Sequence, residues 1–246
     1  MMKYIRLYLV RHGHVQYFDE QHQPVNPKYA ALSTQGEQQI QLLAEQLKAI
    51  QMDQIFSSTM PRSIQTAEIL SSAQKNPIIH SFDEIREIKS GRLKNIPDDQ
   101  AEILIRKAYY PKKYALKDFL LGEAWSSFEQ RITHWFEAML LQEFQAKHQH
   151  ILVSSHDAVN RIVLNWIYGL KGQDVQVQEQ NYACLNIVDF YIEDQKIQET
   201  RILLQNFTAH NILKINESGN ALDHVYEMYM KANGFKKSNG LKGEVA

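Results

Sequence analysis

Two stretches of this chain are apolar without alternating, and they decide its architecture. Residues 5–10 (IRLYLV) and 151–153 (ILV) read as strands with no polar face. A strand that is apolar on both sides needs cover on both sides, as central parallel strands have between layers of helices. The chain supplies those layers. Ile40, Leu43, Ala44, Leu47 and Ile50 form one stripe at helical spacing, behind a capping box of Thr34 with Glu37. A second helix follows strand 53–56, with Thr59 as its cap and Pro61 in its first turn. Phe128, Ile132, Trp135, Phe136, Met139 and Leu140 mark a long third helix, opened by Ser126 with Glu129. Val159, Ile162, Val163, Trp166 and Ile167 mark another, which Gly169 is placed to end.

Further strands are expected at 77–82, 184–191 and 197–204, the last two joined by a polar turn and so antiparallel. A helix is expected around 98–107. Residues 16–31 read as a long loop, the stretch from Asn206 onward lacks clear periodicity, and 235–246 reads as a polar, frayed tail. Strand and helix alternate over most of the chain, which predicts α/β: a three-layer helix–sheet–helix sandwich around a mostly parallel sheet, in one domain spanning 1–234.

With 246 residues, 44% of them hydrophobic, one core of ordinary size is expected. The formal charge of −1 leaves no electrostatic footprint for nucleic acid or an anionic membrane. Cys184 stands alone and reads as a small buried hydrophobe. Neither a secretion signal nor a run of about 18 apolar residues is recognisable, so a cytoplasmic protein is expected.

Chemistry gathers where strands end. Strand 5–10 runs into Arg11-His12-Gly13, and strand 151–153 runs through two serines into His156-Asp157. Arg62 falls in the first turns of the second helix, and Glu87 in the irregular segment after strand 77–82. In open α/β sheets ligands collect at the carboxyl ends of strands. Two imidazoles, two guanidiniums and a carboxyl group suit phosphoryl transfer. Guanidiniums grip phosphate oxygens as a fork, nearby cations keep an imidazole neutral for attack, and a carboxyl group can protonate a leaving oxygen.

An ordered series of motifs resembles the histidine phosphatase superfamily, which includes cofactor-dependent phosphoglycerate mutase. Leu9-Val10-Arg11-His12-Gly13 resembles the signature around the phosphorylated histidine. Leu32-Ser33-Thr34-Gln35-Gly36-Glu37-Gln38-Gln39 and Ser57-Ser58-Thr59-Met60-Pro61-Arg62-Ser63-Ile64-Gln65-Thr66-Ala67 resemble two of its helix entries. Ile85-Arg86-Glu87, Gly122-Glu123-Ala124 with Phe128 and Arg131, and Val153-Ser154-Ser155-His156 follow in family order. Asn206-Phe207-Thr208-Ala209-His210 is a weaker likeness. The resemblance implies a phosphomonoester hydrolase without cofactor or metal. In it His12 is the nucleophile, Arg11, Arg62 and His156 bind the phosphoryl group, and Glu87 is the proton donor. Glu84, three residues earlier, competes with Glu87 for that last role.

The departures are local. His14 and Val15 replace the residues that commonly follow Arg-His-Gly, Phe18 stands where mutases place an asparagine, and Ser63 replaces an alanine. Asp157 replaces a glycine after the second histidine, and with His14 it is a candidate for substrate specificity. The proposed part for Asp157 is accepting a hydrogen bond from a substrate hydroxyl or amine, or orienting a neighbouring ring. A plain N-cap is the competing reading. Tyr17, Phe18, His22, Tyr109, Tyr110 and Tyr114 are candidates for an aromatic rim. The expected partner is a small-molecule phosphomonoester, with a phosphoprotein also allowed, and neither nucleic acid nor membrane. Three other readings stand beside hydrolysis. One is a mutase-type phosphotransferase, although residues 91–121 lack the tandem arginines and Gly-Leu-Asn-Lys expected of mutases. Another is a metal-dependent hydrolase built on His12, His14 and His156-Asp157. The last is a non-catalytic phospho-ligand-binding protein on the same fold.

Overall fold

A computed structural model describes residues 4–17, 25–75, 77–176, 178–215 and 221–232. The proposed tail at 235–246, and Phe18 and His22 of the proposed rim, lie outside the described residues. Six strands form one sheet: β1 (Tyr4–Arg11), β2 (Gln54–Ser58), β3 (Ile79–Phe82), β4 (His150–Ser155), β5 (Leu185–Glu193) and β6 (Lys196–Phe207), in the order β3-β2-β4-β1-β5-β6. The first four run parallel, while β5 and β6 are antiparallel, as the polar turn between them implied.

Both faces of β1 are buried, and its side chains divide between two cores. Ile5, Leu7 and Leu9 join the core under the helices α3 (Trp125–Gln145) and α4 (Asp157–Ile167). Tyr8 and Val10 join the core under α1 (Thr34–Leu47) and α2 (Pro61–Leu70). The unalternating apolar pattern of the strand is therefore the mark of a three-layer sandwich. Cys184 is buried and unpaired.

The helix starts differ from expectation in detail. Ser33, not Thr34, caps α1: its extended backbone lets Oγ accept the Gly36 N–H at 3.1 Å. Met60 precedes α2 without a side-chain cap, and the Thr59 hydroxyl instead donates to Asp83. The third helix begins at Trp125, so Ser126 lies inside its first turn; the Trp125 N–H is already held by the Lys117 carbonyl. Asp157 is the first residue of α4 and His156 is its N-cap, so the capping reading of Asp157 is corrected. The helix expected at 98–107 is divided into a 3-10 turn, Asp98–Gln100, and a π turn, Glu102–Arg106. The C-terminal stretch does contain a helix, α5 (Ala221–Ala232), with Leu222, Met228 and Tyr229 buried. Tyrosines make up much of its apolar stripe, and the Tyr229 hydroxyl crosses to the Ile96 carbonyl at 2.9 Å and to Asp98 Oδ1 at 2.7 Å.

One close approach fixes the end of β1 against α1. A Cβ on Gly36 would lie 2.2 Å from the His14 carbonyl oxygen, and one on Gly13 would lie 2.5 Å from the Gly36 carbonyl oxygen. Both obstacles are backbone, which cannot swing aside as a side chain does. Gly36→Ala is therefore expected to destabilise the fold by about 1–3 kcal/mol. Urea unfolding checks this, and a midpoint equal to wild type would show that the β1–α1 contact relaxes freely.

Candidate active site

Parallel pairing of β1 with β4 sets Arg11 opposite Ser155, so the residues that follow, His12 and His156, emerge side by side. Their ring centroids are 5.2 Å apart. The main chain continues the ladder one step further, His12 N–H donating to the Ser155 carbonyl at 3.0 Å. The His12 ring is fixed from both ends. Nδ1 lies 2.8 Å from the Gly13 carbonyl, which can only accept, so the proton belongs on Nδ1. Nε2 is left with its lone pair and accepts from Arg62 Nε at 3.1 Å.

Arg62 stands in the first turn of α2, directly after β2, with Pro61 starting the helix. Its other nitrogens reach the Pro27 carbonyl at 2.7 Å and the Met60 sulfur at 3.3 Å, and its guanidinium lies 5.9 Å from the Tyr17 ring centroid. Arg11 donates to the Gln180 carbonyl at 2.5 Å and lies 4.0 Å from the centroid of the Tyr182 ring. That ring also stands 5.8 Å from His12 and 5.3 Å from His14. His156 Nε2 meets Ser58 Oγ at 2.6 Å, and this oxygen also accepts the Met60 N–H at 3.3 Å, so its own proton is free for the ring. Arg11, His12, Arg62 and His156 are each at most 4% exposed. Arg11 Nε and His156 Nδ1 are buried there with no hydrogen-bond partner among the described residues.

Burial, reinforced by Arg62 and Arg11, holds the His12 imidazole well below its ordinary pKa. Burial, Arg62 and the neighbouring His12 do the same to His156. Both rings are thus neutral across the physiological range.

The two carboxyl groups are pushed in opposite directions. Glu87 follows the 3-10 turn Asp83–Ile85, and its Oε2 accepts the Ala158 N–H at 3.2 Å while Oε1 accepts the Ile88 N–H at 2.9 Å. Burial and the Asp157 charge still raise its pKa, outweighing those N–H groups and Arg62. Burial also acts to raise the Asp157 pKa, but Arg11 and Arg161 outweigh it and hold the carboxyl below its usual range. Such a divergence separates an acid from a fixed charge. Glu84 is exposed and presents its carbonyl to Arg131 at 2.5 Å, so Glu87 is the carboxyl group that reaches the histidines' helix. A cleft of about 710 Å³ opens beside Glu87, lined also by Arg86, Lys89, Ser90, Glu123 and Arg131.

His14 does not join the histidine pair. Its Nδ1 meets Ser33 Oγ at 2.8 Å and its ring meets Tyr182 edge-on. Among the described residues no group of three or more His, Cys, Asp or Glu side chains is placed to hold a metal ion. Of the proposed aromatic rim, Tyr17 faces Arg62, while Tyr109 is buried under Arg161 with 4.5 Å between guanidinium and ring centroid. Tyr110 and Tyr114 pack on each other near Lys113. The sequence reading missed Ser58, Gln180, Tyr182 and Arg161. Arg161 was within reach, because an Asp and an Arg four residues apart share a helix face. Nothing local marks Tyr182, which enters from a segment without periodicity.

Among the described residues no helix is long and apolar enough to cross a membrane. A protein of Arabidopsis thaliana named probable 2-carboxy-D-arabinitol-1-phosphatase is 26% identical over 201 residues. The match covers 75% of this chain and 38% of that protein, so the chain spans about two fifths of the length of this relative. The fold is shared with the alpha-ribazole phosphatase of Shigella flexneri (TM-score 0.64, 20% identity, 82% of this chain and 96% of that one). It is shared equally with the phosphoglycerate mutase of Bacillus anthracis str. Sterne (TM-score 0.65, 15% identity, 87% and 97%). The sequence profile of the histidine phosphatase superfamily (branch 1) matches residues 7–202. That span begins in β1 and reaches into β6, and it takes in the paired histidines, both arginines and Glu87: the chain belongs to the histidine phosphatase superfamily, branch 1.

Proposed function

We propose that the protein hydrolyses small phosphomonoesters through a phosphohistidine on His12. The observation that carries this reading is the neutral, buried His12 ring, its Nδ1 tied to the Gly13 carbonyl and its Nε2 lone pair aimed at a guanidinium. Beside it are buried donors, Arg11 Nε and His156 Nδ1, that a phosphoryl oxygen would satisfy. Arg62 holds a carbonyl and a thioether, weaker acceptors than the phosphate oxygens that would take their place.

In the first step Nε2 attacks phosphorus and the P–O bond to the leaving group breaks. Glu87 gives its proton to the departing oxygen, so an alcohol leaves. Arg11, Arg62 and His156 bind the equatorial oxygens and stabilise their charge in the transition state. In the second step water attacks phosphorus, Glu87 takes its proton back, and the P–N bond breaks to release phosphate and neutral His12. Glu87 is the one proposed site residue that lines the cleft, so a leaving group protonated by Glu87 would lie on that side, and the charged lining there suits a polar alcohol. Sugar-acid phosphates, the substrate class named for the Arabidopsis relative, fit that description.

Water rather than a second substrate is the favoured acceptor. In the 91–121 stretch Arg106 is paired with Asp223 at 2.8 Å and Lys112 with Gln173 at 2.5 Å. Both of these cations are engaged by side chains other than those around His12.

His12→Ala is expected to lose activity by about 10⁴-fold or more, as removal of a nucleophile does. Wild type quenched during turnover should carry acid-labile, base-stable phosphate on His12. Equal cleavage of p-nitrophenyl phosphate by both proteins would sink the assignment.

The shifted groups also set the pH profile. Below the lowered His12 pKa the ring is protonated and cannot attack; above the raised Glu87 pKa the acid has lost its proton. Activity on alkyl phosphates should therefore fall at both ends, through His12 as pH drops and through Glu87 as pH rises. Glu87→Gln is expected to slow an alkyl phosphomonoester by roughly 10²–10⁴-fold, but p-nitrophenyl phosphate far less, because nitrophenolate leaves without a proton. Kinetics on the two substrates decide it, and an equal loss on both would remove Glu87 from the acid role.

A further inference from the structure

A buried ion-pair chain runs behind the phosphoryl site. Asp157 Oδ1 accepts from Arg161 Nε at 2.5 Å, and Oδ2 lies 3.4 Å from Arg11 Nη1. Arg161 is anchored in turn, donating to the Val175 and Gln176 carbonyls at 3.2 and 3.1 Å with Tyr109 packed against its guanidinium. Arg11, Asp157 and Arg161 are all buried, and Asp157 Oδ2 has no hydrogen-bond partner among the described residues. One carboxylate oxygen of Asp157 is thus set against Arg161 and the other against Arg11. This is the geometry of a fixed counter-charge.

We propose that Asp157 is a positioning residue that acts through Arg11 and Glu87, setting one fixed negative charge against the three guanidiniums of the site. The inference rests on the phosphohistidine reading above. Arg11, Arg62 and Arg161 stay charged at any working pH. With Asp157 ionised, the buried cluster holds two net positive charges. That matches a dianionic phosphoryl group when His12 and His156 are neutral and Glu87 is protonated. Removing the Asp157 charge leaves a third positive charge buried beside the product phosphate, which would then bind tightly and leave slowly.

The same charge acts on the acid. Glu87 accepts the Ala158 N–H, one residue beyond Asp157 on α4, and the Ile88 N–H of its own segment, while Asp157, Arg62 of α2, Tyr17 and Tyr109 lie within electrostatic reach of its carboxyl group. Among these Asp157 is the carboxylate, and it opposes ionisation of Glu87 while Arg62 and the N–H groups favour it. Asp157 thereby widens the pH range over which Glu87 carries its proton.

The test is Asp157→Asn, assayed with an alkyl phosphomonoester such as glycerol 2-phosphate across pH and with inorganic phosphate as competitive inhibitor. The basic limb of kcat/KM is expected to move to lower pH by about one unit, and the phosphate inhibition constant to fall about tenfold. A folded variant with the limb and the inhibition constant of wild type overturns the proposal. So does weaker phosphate binding with an unmoved limb, the result of a merely structural role. Should the single variant fail to fold because Arg161 is left buried and unpaired, Asp157→Asn with Arg161→Met removes both partners. There the limb should still move, while phosphate inhibition returns to near wild type because two positive charges remain; a wild-type limb in this variant also overturns the proposal. Trapping phosphate on His12 in wild type keeps the two readings apart, since its absence would fail the phosphohistidine mechanism whatever Asp157 does.

Discussion

The pairing of β1 with β4 is the constraint on which the site depends. These strands are not neighbours in sequence, and nothing in either stretch alone says that His12 and His156 meet. Their parallel register, with Arg11 opposite Ser155, ends both strands at one level and delivers two imidazoles side by side. A slip of one residue would turn Arg11 and His12 to opposite faces of the sheet. That slip is opposed by the whole length of β1, because its odd and even residues serve different cores. Packing far from the site thus fixes the distance between the two rings.

The antiparallel half of the sheet has a quieter part. Asn186 on β5 sits opposite Leu9 and donates to its carbonyl at 3.2 Å. The same amide grips the Gln180 side chain at 2.7 Å, and the Gln180 main-chain carbonyl is the acceptor that holds Arg11. Tyr182 follows two residues later and covers the other side of that guanidinium. A buried guanidinium without such partners would be costly. Here a strand, an amide network and an aromatic face share the task of keeping it in place without neutralising it.

How much of this was legible in the sequence follows from the range of the interactions. Strand ends, helix stripes and the residues His12, Arg11, Arg62, Glu87 and His156 could be read because each carries a local pattern or a motif. The motif favours Glu87 over Glu84, three residues earlier, and the fold adds what the sequence does not show: Glu87 reaches the Ala158 N–H while Glu84 stays exposed. Capping was legible to within a residue or two. Ser33 and Thr34 are both good caps, and the strand that holds Ser33 extended decides between them. Tyr182 and Gln180 were illegible, since their roles come from β5 placing a loop against a strand from the other end of the chain. The helix α5 is hard to see in the sequence because its apolar face is built largely from tyrosines and methionines, residues that also suit a surface.

Asp157 shows why a departure from a family pattern carries more information than a match. Where glycine is usual, the position after the second histidine contributes only backbone; an aspartate there brings a buried charge that must be compensated. The compensation is present: Arg161 one helical turn on, Tyr109 packed against it, and the Val175 and Gln176 carbonyls holding its far end. Isolated surface pairs of this kind contribute little, but a buried aspartate is tolerated only when its partners are fixed in advance. Arg161 is nearly all buried and has no solvent-facing role. It is held against Asp157, and Asp157 in turn meets Arg11 on its other side. Asp157 is therefore one link in a buried chain of charges, and it ties the guanidinium beside the paired histidines to Arg161 and the Tyr109 ring behind it.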